Sequence, residues 1–135
     1  MAYEGHQITI PAAEAGGDLS AGQYLCVKKN ATARQYVVTT IAGEIFDGVL
    51  QDKPNAAGQA ASVCMFGISK VYANEALAAG DYWGTANNGK AQRVEHTNTG
   101  ADLNVYAMGR VIEGAAANGL ATVTVGVPSF KTPEV

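Results

Sequence analysis

Few residues in this sequence are placed to do nucleophilic or acid–base chemistry, and they stand far apart. Ser69 lies in Gly67-Ile68-Ser69-Lys70-Val71, which begins like the nucleophile elbow G-x-S-x-G, but Val71 stands where the second glycine should be. The two histidines, His6 and His96, fall in a flexible amino-terminal stretch and in a polar loop. Because a serine nucleophile needs a nearby base and a residue that orients it, this spacing argues against a catalytic triad. We therefore predict that the protein is not an enzyme.

Metal-ligand and cofactor motifs are also missing from the sequence. No HxH, HExxH or DxDxDG spacing occurs, and no glycine-rich phosphate loop opens a helix. Cys26 and Cys64 stand far apart in strand-like runs without CxxC spacing, so buried reduced thiols are expected rather than a disulfide or a metal site. The acidic residues that could pair for sugar hydrolysis mostly adjoin turn glycines, where a solvated loop explains them. No cofactor or metal is expected.

The surface is expected to be weakly charged. Charged residues make up 16% of the chain, against a typical value of about 25%, and the formal net charge is −3. A nucleic acid or an anionic membrane calls for clustered basic residues, and these are scattered here, so neither partner is expected. No run approaches the roughly 20 apolar residues that span a bilayer, and no signal-peptide pattern opens the chain. We expect synthesis in the cytoplasm and a surface suited to packing against other proteins.

A repeated motif organises the chain. Leu19-Ser20-Ala21-Gly22-Gln23-Tyr24 returns as Leu77-Ala78-Ala79-Gly80-Asp81-Tyr82, at an offset of 77 − 19 = 58. A later landmark, Gly48-Val49-Leu50, returns as Gly109-Arg110-Val111, at an offset of 109 − 48 = 61. Turns can absorb so small a drift. We interpret the protein as one β unit written twice, at about residues 18–71 and 76–127, with both copies sharing one core.

The local patterns predict short strands joined by turns. Alternating or β-branched runs recur between Gly, Pro and Asn signals, and no apolar run keeps a helical period beyond one turn. Asn88-Gly89 is the strongest hairpin signal, since a two-residue type I′ turn needs positive φ at both positions. Tyr24 and Tyr82 match in the repeat and are expected to pack in the core. The predicted fold is all-β, a small barrel or sandwich with pseudo-two-fold character.

Residues 1–17 have no counterpart before the second unit and are predicted to form an extended amino-terminal arm. Gln7-Ile8-Thr9-Ile10 alternates and Pro11 stops it, before an Ala- and Gly-rich stretch of flexible composition. The short strand could add to a neighbour's sheet edge or pair within its own domain, and both alternatives stay open. Residues 18–128 are then a single β domain, and residues 129–135 are a tail.

Five residues are candidate contacts with a partner. Aromatic residues are enriched in interface hot spots, and a strand-forming arm would present its apolar side chains to a neighbouring protein. The candidates are Tyr3, His6, Ile8, Ile10 and Trp83. Trp83 or an exposed tyrosine could instead stack on a sugar, which makes a glycan-binding module the alternative function.

The order of these motifs resembles the capsid cement, or head decoration, proteins of tailed bacteriophages. The resemblance extends over roughly residues 7–127 and rests on the following stretches: Asp18-Leu19-Ser20-Ala21-Gly22-Gln23-Tyr24 with Val27-Lys28, Phe46-Asp47-Gly48-Val49-Leu50-Gln51-Asp52, Ala57-Gly58-Gln59-Ala60-Ala61-Ser62-Val63, Gly67-Ile68-Ser69-Lys70-Val71 and Leu77-Ala78-Ala79-Gly80-Asp81.

The resemblance implies a β-barrel or β-clip (β-tulip-like) domain on the outer face of a capsid shell, often as a homotrimer. Such a protein binds neighbouring major capsid proteins, stabilises the contacts between them and carries no catalytic residues. The expected function is therefore structural, as a cement protein located on the outer surface of the virion. The alternative is a glycan-binding module on the virion surface or tail.

Overall fold

The computed structural model describes residues 2–94 and 105–131, and within these ranges the chain forms strands and turns but no helix. The all-β class expected from the short alternating runs is confirmed. The strands are β1 (Gln7–Thr9), β2 (Glu14–Ala15), β3 (Cys26–Lys29), β4 (Gln35–Val38), β5 (Gly48–Leu50), β6 (Val63–Tyr72), β7 (Tyr82–Thr85), β8 (Ala91–Val94), β9 (Val105–Ala107), β10 (Gly109–Glu113), β11 (Leu120–Val125) and β12 (Ser129–Lys131).

The two halves of the chain pair their strands in the same way. In the first half β3 pairs with β4 and β5, and β5 pairs with β6. In the second half β7 pairs with β8 and β10, and β10 pairs with β11. The last strands of the two halves, β6 and β11, pair with each other, giving the order β4-β3-β5-β6-β11-β10-β7-β8. The strands of the two halves are thus arranged in mirrored order about the β6–β11 pair.

The recurring glycine of the repeat has the same structural cause in both units. A Cβ atom at Gly48 would lie 2.1 Å from the carbonyl oxygen of Cys64, and one at Gly109 would lie 2.2 Å from that of Thr124. Both glycines therefore allow a strand backbone to approach the last strand of its unit closely. Close packing of two backbones, rather than a turn, requires glycine at these positions.

The described strands do not close into a barrel, which was one of the two architectures that the sequence predicted. The larger sheet has ten strands, and its main path runs from β2 at one end to β8 at the other. Isolated bridges join Glu14 to Ala60 and Ala73 to Ala91, but a single bridge lacks the ladder of bonds that closes a barrel. The sheet is thus open, and it is mixed because β2 runs parallel to β4.

The described residues form two hydrophobic clusters. The larger takes side chains from both units, including Cys26 and Cys64, and the rings of Phe46 and Trp83 pack in it with their centroids 5.6 Å apart. The smaller draws only on the first unit and the segment before it, and it includes Val27, Leu50 and Val63. Because the larger cluster draws on both units, neither unit has a complete core of its own.

The two terminal segments are more integrated than predicted. β1 pairs with β6, β2 pairs with β4, and the side chains of Ala13 and Ala15 are buried in the smaller cluster. Within the predicted arm, residues 2–17 are therefore not a separate segment, because burial and strand pairing hold them to their own domain. The predicted tail is also wrong for Ser129–Lys131, which pairs with β9 as β12.

Two local predictions fail for identifiable reasons. The β7–β8 hairpin forms, but its loop spans residues 86–90, and within this loop only Gly89 has positive φ, so the turn is not the two-residue type I′.

The two motif tyrosines are not equivalent, since Tyr24 precedes β3 whereas Tyr82 begins β7. Tyr82 is 43% exposed and Tyr24 is half-buried, so neither is a core residue. The predicted polar loop at residues 95–100, with His96, lies outside the described residues.

Candidate protein-interaction surface

The amino-terminal segment lies along β6 and exposes most of its side chains. Gln7 pairs with Gly67 and Ile8 with Phe66, while the amide of Ile10 donates to the carbonyl of Val63 over 3.0 Å. Of the predicted contact residues, Tyr3 and Ile8 are 45% and 52% exposed, and His6 is exposed as well. The structure therefore brings three of the five predicted contacts onto one surface segment.

A β-bulge extends this exposed surface onto β6. Ile8 lies opposite Phe66, but the next residue, Thr9, lies opposite Cys64, so Met65 is an extra residue without a partner in β1. A bulge interrupts the regular alternation of side chains, and here two successive apolar residues, Met65 and Phe66, are 41% and 54% exposed. Regular alternation along a strand predicts that one of the two is buried, so the sequence did not identify both residues as exposed. We call the surface formed by Tyr3, His6, Ile8, Met65 and Phe66 the N-terminal face.

Polar contacts hold the residues that precede β1. The hydroxyl of Tyr24 donates to the Glu4 carboxylate over 2.9 Å, and Lys70 lies 4.0 Å from the same carboxylate and over the Tyr24 ring. Tyr24 has a φ of +63°, which is strained for an aromatic residue. Partial burial and the hydrogen bond to Glu4 raise the pKa of the Tyr24 hydroxyl, with a smaller contribution from Tyr72. The N-terminal face is therefore held in place before any partner binds.

Gly67 makes the close contact between β1 and β6 possible. Its φ is +130°, and a Cβ atom there would lie 2.1 Å from the carbonyl oxygen of His6. The amide of Ile68 donates to this carbonyl, and the amide of Gly5 donates to the carbonyl of Ile68. A side chain at position 67 would therefore displace the segment that carries Tyr3, His6 and Ile8.

Two predicted contact residues lie elsewhere, and this corrects the sequence-based set. Trp83 is fully buried, its ring packs against Phe46, and its indole N–H donates to the carbonyl of Thr124 over 2.9 Å. It cannot stack on a sugar or a partner in this fold, because its ring is enclosed in the core. The glycan alternative therefore loses the residue on which it chiefly relied. Ile10 is half-buried against the smaller cluster and belongs mainly to the domain interior.

A second exposed apolar site lies in the loop before β5. Ile41 and Ile45 are 62% and 55% exposed, while Glu44 between them accepts hydrogen bonds from the amides of Thr40 and Ile41 and from Lys28. Burial raises the pKa of Glu44, but the hydrogen bond from Lys28 and those from the two amides outweigh it, so the pKa lies below its usual value. The loop is thus anchored by an ion pair.

Ser69 and the two cysteines, which the sequence offered as candidates for nucleophilic or metal-binding roles, are buried. The Ser69 hydroxyl is buried, donates to the carbonyl of Lys70 and accepts from Gln51, each over 2.8 Å. Cys26 and Cys64 are buried free thiols that both lie opposite Val49, one on each side of β5, which is too far apart for a disulfide. In residues 2–94 and 105–131 no three His, Cys, Asp or Glu side chains group in a way that could hold a metal. No helix in the same ranges is long and apolar enough to cross a membrane.

The fold and this surface define an all-β domain with a group of exposed apolar side chains beside an amino-terminal strand. No family model matches the sequence, and no curated protein matches it. The structure is similar to the N base of the head fibre gp8.5 of bacteriophage phi29, with a TM-score of 0.63 and 16% sequence identity. The match covers 89% of this chain and 94% of the phage chain, so the two domains share their fold over nearly their whole length.

Proposed function

We propose that this chain is a structural protein of a bacteriophage head, which binds the outer capsid surface and stabilises contacts between major capsid proteins. The observation that carries the proposal is the exposed pair Ile8 and Phe66 on the N-terminal face. The similar fold of a phage head fibre base and the motif resemblance to cement proteins support the same conclusion.

The N-terminal face suits a contact that many copies make at once. Its side chains are apolar or aromatic, and the Glu4 carboxylate beside it is paired with Lys70. Docking would therefore bury apolar area without leaving an unpaired charge. Each contact is small, but a capsid offers many equivalent sites, so modest affinity is sufficient for a stabilising role.

The proposal includes self-association, with a trimer favoured by the resemblance to cement proteins. Its role is passive, without catalysis and without a cofactor. Sedimentation equilibrium of the purified protein over a range of concentrations measures the oligomeric state. A result showing only monomers would refute the trimer but would leave the proposed capsid contact unaffected.

Co-sedimentation with expanded capsid shells that lack this protein tests the capsid contact. The full-length protein should bind saturably, and Phe66→Asp should weaken binding at least about thirtyfold, which corresponds to a hot-spot loss of about 2 kcal/mol. Ile41→Asp is the control, because Ile41 is an apolar residue at least as exposed as Phe66 and lies outside the N-terminal face. Failure of the full-length protein to bind the shells would refute the capsid role. Equal loss in both variants would refute only the assignment to this face.

A further inference from the structure

The pairing of residues between strands identifies positions in the first unit that are equivalent to positions in the second. In the first unit Val27 lies opposite Gly48, and in the second Trp83 lies opposite Gly109. The structural offset between β3 and β7 is therefore 83 − 27 = 56, rather than the 58 of the sequence motif. The neighbouring pair is Cys26 with Val49 in the first unit and Tyr82 with Arg110 in the second.

These equivalent pairs have opposite environments. Cys26 and Val49 are fully buried, whereas Tyr82 is 43% exposed and Arg110 is exposed. This position of the first unit is thus covered within the shared core, while the second unit presents a tyrosine and an arginine there. Those two residue types are enriched in the hot spots of protein interfaces.

The Arg110 side chain is held in one orientation. Its Nε and Nη2 atoms donate to the carbonyl oxygen of Gly80 over 3.1 and 3.0 Å, and its guanidinium carbon lies 5.4 Å from the centre of the Tyr82 ring. A guanidinium has five N–H groups, so 5 − 2 = 3 of them remain for another acceptor. Within residues 2–94 and 105–131 Arg110 forms no ion pair, although Lys28, Arg34 and Lys70 each have a carboxylate partner.

We propose that Arg110 and Tyr82 form a second protein-docking site, which takes a carboxylate side chain from an acidic segment of a partner protein. The carboxylate would accept hydrogen bonds from the free guanidinium N–H groups, and a side chain next to it would pack on the Tyr82 ring. Because Gly80 and Tyr82 already orient Arg110, little side-chain entropy is lost on binding. The site shares no residue with the N-terminal face and does not rest on capsid binding.

A carboxylate fits this site better than a nucleic-acid phosphate. Binding along a phosphate backbone needs several basic groups, whereas one arginine stands here in a chain of net charge −3. A single planar guanidinium on an aromatic ring instead matches one planar carboxylate.

The test is an NMR titration of the labelled full-length protein, monitoring the Arg110 Nε–Hε signal and the backbone amides of residues 80–82. The probe is a blocked tripeptide with a central glutamate, and the control is the same peptide with glutamine. The glutamate peptide should shift these signals saturably, and Arg110→Lys should weaken binding at least about tenfold, since a lysine cannot bind Gly80 and a carboxylate in the same forked geometry. Arg34→Lys, an exposed arginine already paired with Glu14, should leave the affinity unchanged.

Several results would overturn this proposal. Equal shifts with the glutamine peptide would show that the carboxylate is not recognised. Stronger binding of inorganic phosphate than of the glutamate peptide would indicate a phosphate site. Shifts of the Arg110 signal that grow with protein concentration alone would indicate that a second copy of this chain occupies the surface.

Discussion

Ile8 lies directly opposite Phe66 in the β1–β6 ladder, and more than half of the surface of each residue is exposed. Cross-strand apolar pairs ordinarily stabilise a sheet by shielding one another, but here both members remain open to solvent. The bulge at Met65 breaks the alternation that would have turned one apolar residue inward. An apolar pair that is exposed and contributes little to the core is suited to contact with another protein.

The first prediction concerns the stability contributed by this pair. Ile8→Ala and Phe66→Ala should each lower the free energy of unfolding by less than about 1 kcal/mol, because neither side chain leaves a buried cavity. Their coupling in a double-mutant cycle should be about 0.2–1 kcal/mol, the usual size for cross-strand pairs. Urea unfolding of the four proteins measures both quantities. A much larger loss would place the pair in the core and count against its role as a contact surface.

The second prediction contrasts Phe66 with Trp83. Trp83→Ala should cost roughly 3–5 kcal/mol, since it removes the largest fully buried side chain and its packing on Phe46. Trp83→Phe keeps much of the ring but leaves the carbonyl of Thr124 without its indole donor, at a cost of about 1–3 kcal/mol. Chemical denaturation followed by far-ultraviolet circular dichroism checks both variants. A Trp83→Ala protein as stable as Phe66→Ala would contradict the buried position of Trp83.

The third prediction concerns the glycine beneath the amino-terminal strand. Gly67→Ala should displace residues 5–10, because its Cβ atom would meet the carbonyl oxygen of His6 at 2.1 Å. Native-state hydrogen exchange should then be faster at the amides of Gly5 and Ile68, which bond across β1 and β6.

Gly58 provides the control for this substitution. Its φ is +85°, also in the left-handed region, but a Cβ atom there would meet nothing within 4 Å. Gly58→Ala should therefore cost about 1 kcal/mol from backbone strain and leave exchange in the amino-terminal segment unchanged. If both variants altered that exchange equally, strain rather than the contact with His6 would be the cause.

The fourth prediction is a loss of stability in alkaline solution. Burial raises the pKa of the Cys26 thiol to about 12, opposed only in part by a hydrogen bond with Thr85. In the unfolded chain the thiol ionises near its ordinary pKa of about 8.5–9. Between these two values the folded state binds more protons than the unfolded state, so the free energy of unfolding falls as pH rises.

Urea unfolding at pH 8 and pH 10 measures this effect. The wild-type protein should lose about 1.4 kcal/mol more than Cys26→Ala between the two values, which is one pKa unit of linkage. Cys64 and the tyrosines are present in both proteins, so their contributions cancel in the comparison. An identical pH dependence in the two proteins would show that folding does not raise the pKa of the Cys26 thiol.

Much of the fold could be predicted because its signals are local or repeated. Strands follow from alternation and β-branched residues, and the duplicated unit follows from the recurrence of Leu19 to Tyr24 and of Gly48. These features need no information about which strands meet in space. Tyr3, His6 and Ile8 remain predicted contacts, and the structure shows that all three are exposed.

The tertiary structure decided the rest, because burial and register depend on residues that are distant in the sequence. Trp83 became a core residue only when Phe46 and Thr124 packed around it, and Met65 and Phe66 became exposed only through a bulge opposite β1. Tyr82 is 43% exposed although strand pairing makes it equivalent to the buried Cys26, so equivalent ladder positions differ in what the rest of the chain packs over them. A sequence states which side chains are apolar, but only long-range pairing determines which of them are covered.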